Sequence, residues 1–463
     1  MTLSLRAYLT DTTTAMPHGL RDVLARKGVH SLRQLLRTDV AASTVSWLGG
    51  GPPVTVLDDG GVQEKVTIVV LADGYARASQ LDFTKDVAKL FVTGLFGVDF
   101  YKANRPNFRV VQLGLVSADD TISAPTTPRD TAIGLVFDAT DFNNAGFQSY
   151  TDDTFRRIAK ALRVWRLDGD IVAVQAHATG NWGKWVSRMM AVTTDVAATV
   201  IAHELGHCFG LGDEYVGPKQ TMTYTGGEPG DPNLTIETDR TKVKWGSLIA
   251  ANTPVPTTST PAGWISDRDV GLFQGGLRRF PKGVYRPSDD CRMNHDAKPF
   301  CRVCADTVTA ALRYAIEHQG TPGGGGVPGA SDHVAVTVRQ RADGSQVIVG
   351  VTPARAVSLL GPPRPAAEAH VAWLGDDVVA ATPACTTGEH DFSGDGPDGE
   401  PWHRFADDGS EVFELHVPAE RVDELRFGRV ALADFVAAAS WADAVTHPAT
   451  RILLEPRRPR WAR

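Results

Sequence analysis

The chain has 463 residues, 42% of them hydrophobic and 22% charged, with a net charge of −7 and a pI near 6.0. That is enough apolar material for two or three domains with proper cores, and it excludes a chain disordered throughout. The acidic balance offers no field for nucleic acid, and no apolar stretch is long enough to span a membrane, so neither partner is expected.

In chain order, the first residues, Met1 to Asp11, lack the apolar core, basic flank and small-residue cleavage site of a secretory signal. Cytoplasmic residence is therefore the expectation, with signal-less export the other route left open. Residues 1–61 carry a helical pattern at Leu20, Val23, Leu24, Val29, Leu32, Leu35 and Leu36 and end in the linker-like Gly49-Gly50-Gly51-Pro52-Pro53. No role is legible in this segment. Residues 62–318 form the central block. It opens with a strand from Val66 to Leu71, followed by a helix with Phe83, Val87, Leu90, Phe91 and Leu95. A strand from Phe108 to Val116, a helix near Phe155, Ile158 and Leu162, and a strand from Ile171 to Ala176 come next. Such alternation predicts a mixed α/β sheet flanked by helices. The segment Trp182 to Thr194 reads as an edge strand, where an extended peptide could be held by strand addition or which a loop could cover.

The segment from His203 to Tyr215 reads His-Glu-Leu-Gly-His-Cys-Phe-Gly-Leu-Gly-Asp-Glu-Tyr. Asp195, Val196, Ala197, Val200, Ile201, Leu205 and Cys208 supply a candidate N-cap and an apolar stripe, which make the segment a helix. On it His203 and His207 are one turn apart and can reach a single zinc ion, while Glu204 stands where the base for a metal-activated water belongs. With 13 His in 463 residues, about 0.02 chance matches to His-Glu-x-x-His are expected, so accident is a poor explanation. Gly210 suits the left-handed turn that ends a helix and swings the chain back. Asp213 lies ten residues beyond His203, where the metzincin pattern places its last ligand. Two histidines and a carboxylate leave one position open, as catalytic zinc requires. Glu214 is the alternative third ligand, or a group that orients a histidine.

Downstream, the Thr-, Pro- and Gly-rich stretch from Val216 to Gly263 has no helical period and reads as a loop walling a cleft, with a short helix around Lys242, Lys244, Trp245 and Leu248. Met293, following Gly283-Val284-Tyr285-Arg286-Pro287-Ser288 and Cys291-Arg292, is the candidate for the methionine turn beneath the metal. Tyr285 and Tyr215 each offer a phenol to a developing oxyanion. Of the five cysteines, Cys291, Cys301 and Cys304 cluster. A disulfide from Cys291 to Cys301 or Cys304 is the leading expectation, with reduced buried thiols the alternative. A second, structural zinc on Cys291, His295, Cys301 and Cys304 is chemically possible, but its spacing departs from paired Cys-x-x-Cys knuckles. Cys208 reads as core, and Cys385 has no evident partner. Val308, Leu312 and Ile316 give a closing helix.

These motifs resemble the bacterial immunoglobulin A peptidase family of zinc metallopeptidases. The resemblance rests on His203 to Tyr215, Tyr285-Arg286-Pro287 with Cys291-x-Met293, Phe300-Cys301-x-x-Cys304, and Ile68 to Tyr75, and it covers about residues 62 to 318. It implies one catalytic zinc ion on His203, His207 and Asp213, Glu204 as base, and a peptide or protein substrate. Members often carry one more residue before the Asp-Glu pair, which leaves Asp213 and Glu214 both open as ligands. The family name does not make immunoglobulin the substrate.

Residues 319–330 read as a Gly/Pro-rich linker. In residues 331–463 the period switches to two, at Val334, Val336 and Val338 and again at Val347, Val349 and Val351 around an Ala342-Asp343-Gly344 turn. Further strand-like runs at Val371, Val412 to Val417, Val430 and Ile452 to Leu454 suggest an immunoglobulin-like sandwich. Asp391-Phe-Ser-Gly-Asp-Gly396 resembles the start of a calcium loop, yet lacks its closing Glu and reads better as an acidic turn. The expected fold is thus an α/β metzincin-like zinc peptidase domain with a mixed sheet, followed by a C-terminal all-β sandwich. The expected function is zinc-dependent endopeptidase, with a catalytically silent zinc-bearing binding or adhesion protein as the alternative.

Overall fold

The computed structural model describes residues 3–4, 48, 50–60, 64–138, 146–147, 151–217 apart from 166 and 168, 220–318, and strand segments between 333 and 431. The helix expected near residues 20–36, the linker, the turn at 342–344, Cys385 and the run at 452–454 lie outside the described residues.

The central sheet starts with β1 (Val54–Asp58) and β2 (Val66–Asp73). Every residue of β2 is buried, as its near-continuous apolar run requires of a strand covered on both faces. Helix α1 (Gln80–Val87) continues through a wider turn over Ala88–Gly94, and Phe83, Val87, Leu90 and Phe91 all enter the core. Then come β3 (Phe108–Leu113), α2 (Asp152–Trp165), β4 (Ile171–Ala176), β5 (Trp182–Val186), β6 (Met189–Val192) and α3 (Ala198–Cys208). The spatial order is β1, β3, β2, β4, β6, β5; the inner four are parallel, and β1 and β5 run antiparallel at the two edges. Because β1 is part of this sheet, the domain begins before the boundary expected at residue 62. The described part of the Gly-Pro run, residues 50–53, leads directly into β1.

The segment 182–194 is two strands, not one. It folds back at Ser187, whose φ of +57° permits the tight reversal, and places β6 inside and β5 outside. Strand β7 (Phe273–Gly276) pairs with β8 (Phe280–Arg286), and α4 (Arg302–His318) packs Val308, Ala311 and Leu312 into the core.

The C-terminal strands are β9 (His333–Gln340), β10 (Gln346–Ala354), β11 (Glu368–Leu374), β12 (Asp377–Pro383), β13 (His390–Ser393), β14 (Trp402–Phe405), β15 (Glu411–Pro418) and β16 (Leu425–Ala431). They form two antiparallel sheets: β10, β9, β15, and β12, β11, β16 with the short strand Leu3–Ser4. Strands β13 and β14 belong to neither. β13 adds antiparallel to the outer edge of β5, and β14 pairs with β13, so the central sheet reaches eight strands. Asp391 and Ser393, expected in an acidic turn, are therefore ladder residues. Among the described residues no helix is long and apolar enough to cross a membrane.

Candidate functional site

Helix α3 is buried along its length from Val200 to Cys208. Its first turn is not capped by Asp195 as expected. Ala197 occupies the flanking position and has no side chain to cap with; its own N–H donates to Asn181 Oδ1 at 2.6 Å, which ties the start of the helix to the residue just ahead of β5. At the other end Gly210 takes φ +84°, the left-handed conformation that turns the chain back, and Leu211 N–H donates to Gly206 O.

That reversal returns Asp213 to the histidines. His203 Nδ1–H donates to Arg292 O at 2.9 Å and His207 Nδ1–H to Leu211 O at 2.8 Å. With Nδ1 protonated against a carbonyl in each ring, both Nε2 atoms present lone pairs. The two Nε2 atoms are 3.2 Å apart, and Asp213 Oδ1 is 3.3 Å from each. A tetrahedral ion bound at about 2.0–2.1 Å spaces its ligands about 3.3–3.4 Å apart, so the three atoms fit three corners of a zinc site. His203, His207 and Asp213 are completely buried, as is Glu204.

Glu204 faces strand β5. A carbon added at Gly183 of β5 would lie 2.9 Å from its Cγ and 3.2 Å from its Oε1. Residues i and i+2 share a strand face, and Trp185 accordingly packs its indole on the His207 ring with centroids 5.0 Å apart. The face of β5 turned to α3 thus meets both the base candidate and a metal-ligand candidate.

Met293 is fully buried under α3; a carbon added at Gly206 would meet its sulfur at 2.8 Å. The Arg292–Met293 segment also supports the site through its backbone, since Arg292 O holds His203 and Met293 O accepts from Glu214 N–H at 2.7 Å. Glu214 does not join the histidines. Its Oε1 accepts from Asn233 Nδ2 at 2.9 Å and lies 3.0 Å from Cys304 Sγ.

Sequence reasoning missed two residues. Asn233 also exchanges hydrogen bonds with the backbone of Gly212, both at 2.8 Å, and so pins the segment carrying Asp213. Arg278 sits at φ +66° in the turn between β7 and β8 with Nε 3.6 Å from Asp213 Oδ2. Both come from segments far along the chain, and nothing local in either marked it. Tyr285 is half-buried on β8, with its hydroxyl accepting from Gln274 Nε2 at 3.3 Å, while Tyr215 is buried beside Asp213 and Glu214 in the chain. The Val216 to Gly263 stretch is a loop with one short turn, Gly246–Leu248, and Trp245 anchors it through Nε1–H to Gly271 O.

The cysteines depart from the expectation of a disulfide. Cys291, Cys301 and Cys304 are buried and unpaired, and His295 turns to Asp290 instead, at 2.6 Å, with its side chain 42% exposed.

No curated protein matches the chain. Residues 54–264 match the family model described as IgA Peptidase M64. The match contains β1 and the whole segment from His203 to Tyr215, and it ends before Tyr285, Met293 and the cysteine cluster. Over residues 54–264, which carry this arrangement of helix and glycine turn, the chain is similar to the IgA peptidase M64 family of metallopeptidases.

Proposed function

We propose that the protein is a zinc-dependent endopeptidase in which Glu204 is the general base. The observation that carries this reading is the convergence of His203 Nε2, His207 Nε2 and Asp213 Oδ1 at spacings of 3.2 to 3.3 Å, one residue from a buried carboxylate facing the sheet edge. Zinc held there supplies Lewis acidity, polarising a peptide carbonyl and drawing the pKa of water down towards about 7. Glu204 takes the proton from the attacking water and delivers it to the leaving amine. His203 and His207 are oriented by the carbonyls of Arg292 and Leu211, and Arg278 lies beside the far oxygen of Asp213. Met293 closes the floor with an apolar sulfur.

The substrate strand pairs with β5. In this structure β13 occupies that edge, with Phe392 opposite Gly183 and His390 opposite Trp185, which is the path an extended peptide takes past Glu204. The four central residues have no exposed surface, so a substrate displaces β13 to reach them. The two C-terminal sheets then make a sandwich that caps the catalytic domain or binds the substrate's surroundings. The rival reading, a silent zinc-bearing binding or adhesion protein, gives Glu204 no task.

The test is incubation of the purified, zinc-loaded protein with a peptide mixture, with and without a chelator, and mapping of the cut sites by mass spectrometry. Chelator-sensitive cleavage is expected. Absence of cleavage at full zinc loading, or cleavage indifferent to the chelator, overturns the reading.

A further inference from the structure

A second set of metal-ligating atoms lies next to the first, and the peptidase reading does not use it. Glu214, Cys291, Cys301 and Cys304 each offer one ligand atom, and these lie within 4.8 Å of one another. All four residues are buried, the most exposed at 1%. Cys304 Sγ lies 3.0 Å and Cys301 Sγ 3.9 Å from Glu214 Oε1, and Cys301 N–H donates to Cys291 Sγ at 3.2 Å. The carboxylate's other oxygen, Oε2, has no hydrogen-bond partner and no exposed surface. A buried carboxylate left half-satisfied among three thiols is costly unless a cation joins it.

We propose that Glu214, Cys291, Cys301 and Cys304 hold a second zinc ion in a closed, four-ligand structural site. Three sulfurs and one oxygen form a soft donor set that selects zinc over calcium or magnesium, and four protein ligands with no access to solvent leave no open position for a reaction. Ion binding releases the thiol protons to solvent. Two negative charges remain, and one of them is offset by the half-buried guanidinium of Arg286, which interacts favourably with Glu214 and Cys291. The site accounts for the departure of His295, whose place is taken by a carboxylate 81 residues earlier in the chain.

Its consequence is positional. Glu214 follows Asp213 directly, and Cys291 precedes Arg292 and Met293, the residues that hold His203 and floor the helix. One ion would tie the turn after α3, the methionine turn and the start of α4 into a single rigid support.

The test uses the full chain purified under reducing conditions. Elemental analysis is expected to give two zinc ions per chain, one of which survives His203→Ala with His207→Ala. Cobalt exchanged into that histidine-free variant is expected to show a thiolate-to-cobalt charge-transfer band in the near ultraviolet, which requires no cysteine variant to fold. Cys301→Ser with Cys304→Ser removes that band and one equivalent of zinc. A single zinc that disappears with the histidines, no thiolate band in the cobalt protein, or an intact mass showing a disulfide among these cysteines overturns the proposal. None of those results touches the peptidase reading, which stands or falls on cleavage.

Discussion

Gly183 and Glu204 are in direct contact: a side-chain carbon on the glycine would lie 2.9 Å from the glutamate Cγ, closer than real side chains approach. The absence of a side chain on the edge strand is therefore what leaves room for Glu204. Gly183→Ala is expected to push Glu204 off its position and lower kcat/KM by about 10²-fold, the scale of a displacement near 1 Å. Zinc content should not change. Peptidase assays beside elemental analysis check this, and an alanine variant with unchanged kcat/KM would show that Glu204 has freedom the packing denies it.

The carboxylate of Asp213 is held from behind by Arg278. Arg278→Gln removes the charge while keeping length and is expected to weaken zinc binding by roughly 10- to 100-fold, as loss of an outer partner does at metal sites. Competition against a chelator of known affinity measures it. Equal affinity in the two proteins would mean that the backbone alone places Asp213.

Strand β13 is bonded on both sides, to β5 and to β14, so the N–H of residue 392 is used in one ladder or the other. Phe392→Pro removes that donor and loosens the hairpin from the edge. If substrate and β13 compete for β5, KM falls several-fold at unchanged zinc content. An unaltered or higher KM would place the substrate elsewhere.

Arg188, in the turn between β5 and β6, makes a buried ion pair with Glu414 of β15 at 2.7 Å and also donates to Thr352 Oγ1. Burial by itself raises the Glu414 carboxyl, but the charge of Arg188 and the bonds from His416 and Arg188 outweigh it and hold the pKa at about 2, below the ordinary 4.5. The folded state thus binds this proton less readily than the unfolded chain. Its contribution is fully present above pH 4.5 and is lost as pH falls towards about 2. Glu414→Gln leaves a buried guanidinium uncompensated, with an expected loss of about 3–5 kcal/mol at neutral pH and a flatter acid limb. Denaturant melts across that range check both.

The chemistry-bearing helix was legible because its information is local. The four-residue spacing of His203 and His207, the glycine at 210 and the ten-residue step to Asp213 all follow from helix and turn geometry. The apolar runs of β2 and β4 and the period of two in β9 and β10 were legible for the same reason. Partnerships across long stretches of chain were not. Arg278 and Asn233 look like ordinary loop residues until the fold places them against Asp213 and Glu214. His295 looked like a companion to the cysteines because it is near them in sequence, yet a charge partner at Asp290 draws it away. β13 reaches β5 across some two hundred residues, and no local pattern announces that.

The most direct measurement is cleavage by Glu204→Gln compared with the unaltered protein at matched zinc content. The account predicts that zinc binding is retained and that kcat falls by about 10²- to 10⁴-fold, the range a general base contributes. Undiminished cleavage by the zinc-loaded variant would contradict it.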